Sequence, residues 1–123
     1  MAYDIAFTIN LNDTIPLFNW QLGIMYYYQN TTPILFFTIK NGDTPYVLPT
    51  GAVVNFYVKR NTSETLYVVN QACTVISASL GQVQIQLPKM PDKVPYVAEL
   101  RLVDSNHEIT LKRFIIYTVD NVL

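Results

Sequence analysis

His107, the single histidine of the chain, is the strongest candidate for a catalytic or metal-binding residue. It stands beside Glu108 and close to Asp104, and these three side chains are of types that bind metal ions. A catalytic or metal role would also need convergent ligands, or a nucleophile with a base. The chain has no second histidine and no pair of cysteines, and the segment has the composition of a hairpin turn. We therefore expect a solvated turn histidine.

The other reactive residue types do not form a recognisable catalytic group. The nine Asp and Glu residues are scattered, and no pair has a spacing suited to acid–base catalysis. No glycine-rich phosphate loop is present. Cys73 alternates with Val75 in an apolar run, so we interpret it as a small core residue rather than a reactive thiol. The sequence thus predicts a protein that is not an enzyme and that holds no cofactor and no metal ion.

Charge and hydropathy narrow the classes of partner. Eight Lys and Arg against nine Asp and Glu give a formal net charge of -1, so no basic field attracts nucleic acid or an anionic membrane. No apolar run approaches the roughly 18 residues that cross a bilayer, and the N-terminus lacks the basic region of a signal peptide. We expect a protein that is made in a cytoplasm and binds neither nucleic acid nor a membrane.

Aromatic residues are the remaining candidates for a binding role. There are nine Tyr, six Phe and one Trp, and most of these rings are expected in the core. Trp20, Tyr26, Tyr27 and Tyr28 stand apart, because they lie in an Asn-rich N-terminal stretch and aromatic side chains are favoured anchors in protein interfaces. Consecutive tyrosines in a strand point to both faces, so at least one is exposed or covered by a partner. The sequence leaves open whether these rings fold back onto their own domain.

The element that best positions side chains is a strand within Leu48–Arg60, where residues alternate between two faces. One face carries Ala52, Val54, Phe56 and Val58, and the other carries Val53, Asn55, Tyr57 and Lys59. The first face is apolar and predicts the core side. The second carries little charge, so we expect Val53 and Tyr57 to lie on a sheet surface that a partner covers.

Alternation predicts strands along the whole chain, separated by turn signals about every ten residues. The predicted strands are Tyr3–Asn10, Ile34–Lys40, an edge strand at Pro45–Pro49, Gly51–Lys59, Leu66–Val69, Cys73–Ser77, Gln82–Leu87, Tyr96–Leu102 and Glu108–Val119. The last one changes phase, which a β-bulge near Lys112-Arg113 would explain. Glu99 and Arg101 are expected outside. No stretch has a sustained helical period, so we predict an all-β fold, an immunoglobulin-like antiparallel β-sandwich.

The N-terminal part differs in composition from the rest of the chain, so we divide the protein into an N-terminal extended arm, residues 1–27, and a β-sandwich domain, residues 28–123. The sequence leaves open whether the strand at Tyr3–Asn10 pairs with its own sheet or with another chain. The predicted protein-interface residues are Tyr3, Ile5, Phe7, Trp20, Tyr26, Tyr27, Tyr28, Val53 and Tyr57.

Several ordered pieces of sequence carry a family resemblance. They are Pro33–Ile39 followed by Asn41-Gly42, Leu48–Tyr57, Cys73-Thr74-Val75, Gly81–Ile85 and Tyr96–Leu100. From about Tyr28 to Val119 the chain resembles the N-terminal domain of phage baseplate upper proteins, found in siphophages and prophages of Gram-positive bacteria. Two positions depart from that family: Lys93-Val94-Pro95 stands where Pro-Gly is common, and Pro49 replaces an acidic or polar residue.

The resemblance implies a structural virion protein. The family domain docks to the tail baseplate, and full-length baseplate upper proteins continue into a linker and a distal part that holds receptor-binding proteins. For this chain it implies the anchoring module, located in the virion, with other virion proteins and copies of itself as partners. Two alternatives remain open, a capsid decoration or head-fibre anchor, and a carbohydrate-binding module with Trp20 and the tyrosines as its platform.

Overall fold

The computed structural model describes residues 5–11, 23–28, 31–60, 66–90, 94–105 and 108–119. These residues form ten β-strands and no helix, which confirms the all-β prediction. The strands are β1 Ile5–Asn10, β2 Gly23–Tyr28, β3 Ile34–Asn41, β4 Thr44–Pro45, β5 Val53–Lys59, β6 Val69–Ala72, β7 Thr74–Ser77, β8 Gln82–Gln86, β9 Tyr96–Val103 and β10 Glu108–Val119.

The strands form two five-stranded sheets in a sandwich-like arrangement. Sheet A has the order β1-β3-β8-β7, with β4 paired to β3, and sheet B has the order β2-β10-β9-β5-β6. The predicted β-sandwich is confirmed, but its sheets are mixed and not antiparallel throughout, because β1 pairs in parallel with β3 and β2 in parallel with β10. A parallel pair needs a long crossover, and each of these connections passes through the opposite sheet.

The core fills the space between the two sheets. Sheet A contributes the inward side chains of β3 and β8, and sheet B those of β5, β9 and β10. The largest fully buried side chains are Tyr96, Phe37, Phe56, Phe114, Leu35, Ile39, Leu87, Leu100, Ile116, Val54 and Val58. The rings of Phe37, Phe56 and Phe114 meet at its centre with centroids 5.9–6.5 Å apart. The predicted inner face of β5 is thus confirmed.

A β-bulge interrupts the pairing of β10 with β9. The register shifts between Thr110 and Lys112, so Leu111 is the extra residue. Leu111 and Phe114 both face the core as a result, while Ile109 is 52% exposed. The predicted bulge is confirmed, and it lies just before Lys112-Arg113.

The first strand of the predicted arm belongs to the sandwich. β1 runs alongside β3 with Ile5 opposite Leu35 and Phe7 opposite Phe37. The Phe7 ring stacks on Phe37, with centroids 5.2 Å apart, and lies 5.2 Å from the ring of Phe114. The open question about Tyr3–Asn10 is therefore answered for residues 5–10, which pair with their own sheet.

Two short strands differ from their predicted bounds. Of the predicted edge strand Pro45–Pro49, only Pro45 lies in a strand, as the second residue of β4. The strand expected at Leu66–Val69 begins at Val69, which is the first buried residue after two exposed ones, Leu66 and Tyr67. In both cases the apolar residues extend beyond the strand itself, although the backbone N–H groups of Tyr46, Leu48 and Val68 still donate hydrogen bonds.

Gly81 and Cys73 lie in close-packed connections, Gly81 in a turn of sheet A and Cys73 at a crossover between the sheets. Gly81, just before β8, has a φ of 65°, and a Cβ there would lie 2.5 Å from the carbonyl oxygens of Ile39 and Tyr46. Cys73 joins β6 in sheet B to β7 in sheet A and is 8% exposed. Burial raises the pKa of its thiol to about 12. The prediction of a core cysteine is confirmed.

Candidate interaction surface

The outer face of sheet B brings together polar and aromatic side chains from distant parts of the sequence. In the ladder, Tyr57 of β5 lies opposite Glu99 of β9, and Glu99 lies opposite Arg113 of β10. Since Phe56, Leu100 and Phe114 point into the core, these neighbours in the ladder point outward. The row is therefore a continuous strip of tyrosine, carboxylate and guanidinium across three strands.

Glu99 is the centre of this strip. Its Oε1 accepts hydrogen bonds from Arg101 Nε at 2.8 Å and from the Thr110 hydroxyl at 2.5 Å, and its Oε2 accepts one from Arg113 Nη2 at 3.2 Å. Sequence reasoning put Glu99 on the outer face, which is right, but its side chain is nearly buried because the two arginines cover it.

The carboxyl group of Glu99 is held in its charged form. Burial acts to raise its pKa, but hydrogen bonds from Arg101 and Thr110, together with the charges of Arg101 and Arg113, outweigh burial and lower the pKa. The hydrogen bond to Glu99 in turn raises the pKa of Arg101, with Glu108 contributing. The strip therefore keeps fixed charges over the ordinary range of pH.

Arg101 connects Glu99 to the tyrosines. Its Nη1 donates to Glu108 at 3.0 Å, and its guanidinium carbon lies 4.8 Å from the centre of the Tyr57 ring. The Tyr57 hydroxyl accepts a hydrogen bond from Asn55 Nδ2 at 3.1 Å and donates a longer one to Glu108 at 3.5 Å. Arg101 and Tyr57 are thus each held by more than one contact.

The tyrosine contacts continue to the edge of the sheet. The rings of Tyr57 and Tyr67 have centroids 5.2 Å apart and are tilted by 47°. Lys59 Nζ lies 4.6 Å from the centre of the Tyr67 ring. Arg101, Tyr57, Tyr67 and Lys59 therefore form a series with a cation at each end, which we call the cation–tyrosine series. Cations over aromatic faces attract the ring quadrupole.

An open groove of about 180 Å³ lies along this series. Its lining residues are Tyr57, Lys59, Tyr67, Val97, Glu99, Arg101 and Arg113. These described lining residues offer aromatic faces, hydrogen-bond donors and one carboxylate, which is already hydrogen-bonded. Such a set can bind a partner by contact and charge, and in the described part of the chain no nucleophile stands beside a base within it.

A second tyrosine pair lies on the same face nearer the opposite edge. Tyr26 of β2 lies opposite Tyr117 of β10, and their rings stack with centroids 5.6 Å apart and a 22° angle between planes. Tyr26 is 61% exposed. Two tyrosine pairs, one from β2 and β10 and one beside β5, thus frame the charged strip of Glu99 and the two arginines.

Three predicted interface residues fall on this face: Tyr26, Tyr57 and the 41% exposed Val53. Ile5 and Phe7 are only partly buried but pack against the core. Tyr27 and Tyr28 lie in β2, opposite Thr118 and Val119. Tyr3 and Trp20 lie outside the described residues. For all nine, the interface role stays a prediction.

The structure gives no support for a metal site formed by Asp104, His107 and Glu108. His107 lies outside the described residues. Asp104 Oδ1 accepts a hydrogen bond from the Ser105 backbone, and Glu108 is engaged by Arg101. Within the ranges that the structure describes, no group of three His, Cys, Asp or Glu residues could hold a metal ion.

Sequence reasoning missed Tyr67 and Arg113 and gave no role to Glu99 and Arg101. A signal was present in the spacing, because Tyr57 with Lys59 and Glu99 with Arg101 are residue pairs that share a strand face. What the spacing could not supply was the ladder register that sets these two strands side by side.

Comparisons with known proteins show a likeness in structure and none in sequence. No protein-family model matches the chain, and no curated protein matches it. Among solved structures, the chain is similar to the "N-terminal domain of phage TP901-1 ORF48", with a TM-score of 0.59 and 10% sequence identity. The match covers 94% of this chain and 97% of that one. No helix capable of crossing a membrane occurs in the part of the chain described. At this identity, the likeness establishes a shared fold from end to end.

Proposed function

We propose that the chain is a structural bacteriophage virion protein, an anchoring and adaptor module of the tail baseplate that docks to neighbouring virion proteins and supports host attachment. It works by burying surface and not by catalysis. We further propose that it is made in the cytoplasm of the host bacterium, assembles with copies of itself, and needs no cofactor, nucleic acid or membrane.

The observation that carries this proposal is the fold likeness, which spans nearly the whole of both chains. It agrees with the independent resemblance of ordered motifs, such as Leu48–Tyr57 and Tyr96–Leu100, to the N-terminal domain of baseplate upper proteins. Either similarity alone would support less, since a fold can serve many functions. The two agree on the same kind of phage domain.

The chemistry of the outer face of sheet B is consistent with docking. Tyrosine and arginine are enriched among the residues that contribute most to protein interfaces. Tyr26 and Tyr67 expose their rings there, and Arg101 lies between Glu99 and the Tyr57 ring. Side chains already held in place lose little entropy when a partner binds.

The test is to locate the protein in purified phage particles. Gold-labelled antibodies against the full chain, viewed by electron microscopy, are expected at the tail baseplate, with a fixed number of copies per particle. Labelling over the head would favour the capsid decoration or head-fibre alternative. Absence of the chain from washed particles, although it is present in the infected cell, would contradict a virion role.

A further inference from the structure

We propose that the groove on the outer face of sheet B receives an acidic segment of a neighbouring protein, with a carboxylate of that segment pairing with the cations of the cation–tyrosine series. This inference rests on the proposed function and adds the chemistry of the partner to it. The partner should present Asp or Glu beside an apolar residue.

Charge supports an acidic occupant. Lys59, Arg101 and Arg113 line the groove, whereas Glu99 is the single carboxylate among the described lining residues and Glu108 lies close by as a partner of Arg101. The groove therefore carries an excess of positive charge in a chain whose formal net charge is -1. A local field of this sign favours and steers an acidic surface.

Donors remain for such a carboxylate. Arg101 uses Nε for Glu99 and Nη1 for Glu108, and Nη2 has no hydrogen bond with the described residues. Lys59 Nζ lies over the Tyr67 ring and forms no ion pair within the described part of the chain. Arginine and lysine make their strongest hydrogen bonds to carboxylates. The two ends of the series thus each offer a donor to an incoming acid.

Size and apolar surface favour a protein side chain as the occupant. The groove of about 180 Å³ is below the roughly 300–1,000 Å³ of typical small-molecule sites. The Tyr57 and Tyr67 rings and Val97 supply apolar contact for a short aliphatic stem. An extended acidic peptide lying over the sheet would place one side chain in the groove and the next away from it.

The first experiment measures peptide binding to the full chain by NMR. The probes are a short glutamate-rich peptide and its glutamine-matched counterpart. We expect amide shift changes around β5 and β9 with the glutamate peptide, and about tenfold weaker binding for Lys59→Gln, the loss of one charge-assisted hydrogen bond. Lys40→Gln, on the outer face of sheet A, is the matched control and should bind as the wild type does.

The inference is overturned if the glutamine peptide binds as well as the glutamate peptide. It is equally overturned if Lys40→Gln weakens binding as much as Lys59→Gln does, because the attraction would then be general to the surface. Circular dichroism and melting of both variants establish that each retains the wild-type fold.

A second experiment uses phage particles. Lys59→Glu places a like charge against an acidic partner, so we expect its incorporation to fall while Lys40→Glu incorporates at the wild-type level. Wild-type incorporation of Lys59→Glu would sink the inference and leave the proposed function standing. Absence of the wild-type chain from particles would contradict the proposed function, and the peptide titration would then decide the inference alone.

Discussion

The outer faces of the two sheets differ in chemistry although both sheets cover the same core. Sheet A presents neutral rows across its strands, one of Ala6, Phe36, Gln84 and Thr74 and one of Thr8, Thr38, Gln82 and Ser77. Sheet B presents two tyrosine pairs around the strip of Glu99, Arg101 and Arg113. A surface that only needed to be soluble would not require the second arrangement.

The contrast teaches where specificity can reside. The side chains in these two rows of sheet A are uncharged, so a partner that covers them desolvates no charge, and many surfaces can do so. The side chains of sheet B have fixed charges and fixed ring orientations, because Glu99 holds both arginines and Arg101 lies over Tyr57. A partner that fails to match that pattern must desolvate charges without pairing them.

The largest predicted effect concerns the close backbone packing around Gly81 in sheet A. We expect Gly81→Ala to lower the free energy of unfolding by about 3–4 kcal/mol, since a Cβ collides with the Ile39 and Tyr46 carbonyls at a positive φ. Gly51→Ala is the control, because Gly51 has a φ of 83° but open space around it, and should cost about 1 kcal/mol. Urea unfolding measures both, and equal losses would contradict the steric explanation.

On the outer face of sheet B, we expect the ion pairs of Glu99 to contribute to the free energy of unfolding. Glu99→Gln keeps the shape but removes the charge that two guanidiniums share, and their side chains, 28% and 33% exposed, can recover some hydration. We expect a loss of about 2 kcal/mol in the free energy of unfolding. Gln84→Ala on sheet A should stay within about 0.5 kcal/mol of the wild type. If both variants unfold alike, the two faces are energetically equivalent.

Acid should weaken sheet B through the same carboxylate. The pKa of Glu99 is lowered in the folded protein from an ordinary value of 4.5, so its contribution to stability is present above that value and is lost as pH falls through the folded pKa. We expect the melting temperature of the wild type to fall more steeply below pH 4.5 than that of Glu99→Gln. Gln84→Ala should keep the wild-type dependence. Parallel curves for wild type and Glu99→Gln would exclude this contribution.

The smallest predicted effect separates the two tyrosine pairs. Tyr57→Phe removes a hydroxyl that contacts Asn55 and Glu108, and should cost about 0.5–1 kcal/mol in unfolding free energy. Tyr117→Phe should change stability by less, because its hydroxyl has no hydrogen bond with the described residues, although its ring still stacks on Tyr26. Thermal melts of both variants test this, and a greater loss for Tyr117→Phe would reverse the ranking.

Much of the fold could be predicted from alternation. The strand at Glu108–Val119 has the predicted bounds, and β5, β8 and β9 lie within their predicted stretches or extend them slightly. These strands are predictable because one face is apolar and the other polar, so their period is visible in the letters. The bulge in β10 was visible for the same reason, as a change of phase.

The partners of each strand could not be predicted in this way. Alternation assigns side chains to faces but does not show which strand lies alongside. The parallel pairings of β1 with β3 and of β2 with β10 were therefore missed. The candidate site shares this limit, because Tyr57, Glu99 and Arg113 become neighbours only through the register of three strands. Tyr57 was predicted as an interface residue from its own strand, whereas Arg113 needed the ladder.

The pairing of β2 with β10 has a consequence for how the protein is made. β2 is an edge strand of sheet B and pairs with β10, which lies about 90 residues later in the sequence. This edge of sheet B can therefore form only after β10 has been synthesised. Contacts so distant in sequence slow folding and leave β2, with its three tyrosines, exposed meanwhile. Pulsed hydrogen exchange should find the amides of β2 and β10 becoming protected together, after the pairing of β5 with β9. The Tyr26–Tyr117 pair therefore forms late, from two strands near opposite ends of the described chain, whereas Tyr57 and Tyr67 are close in sequence.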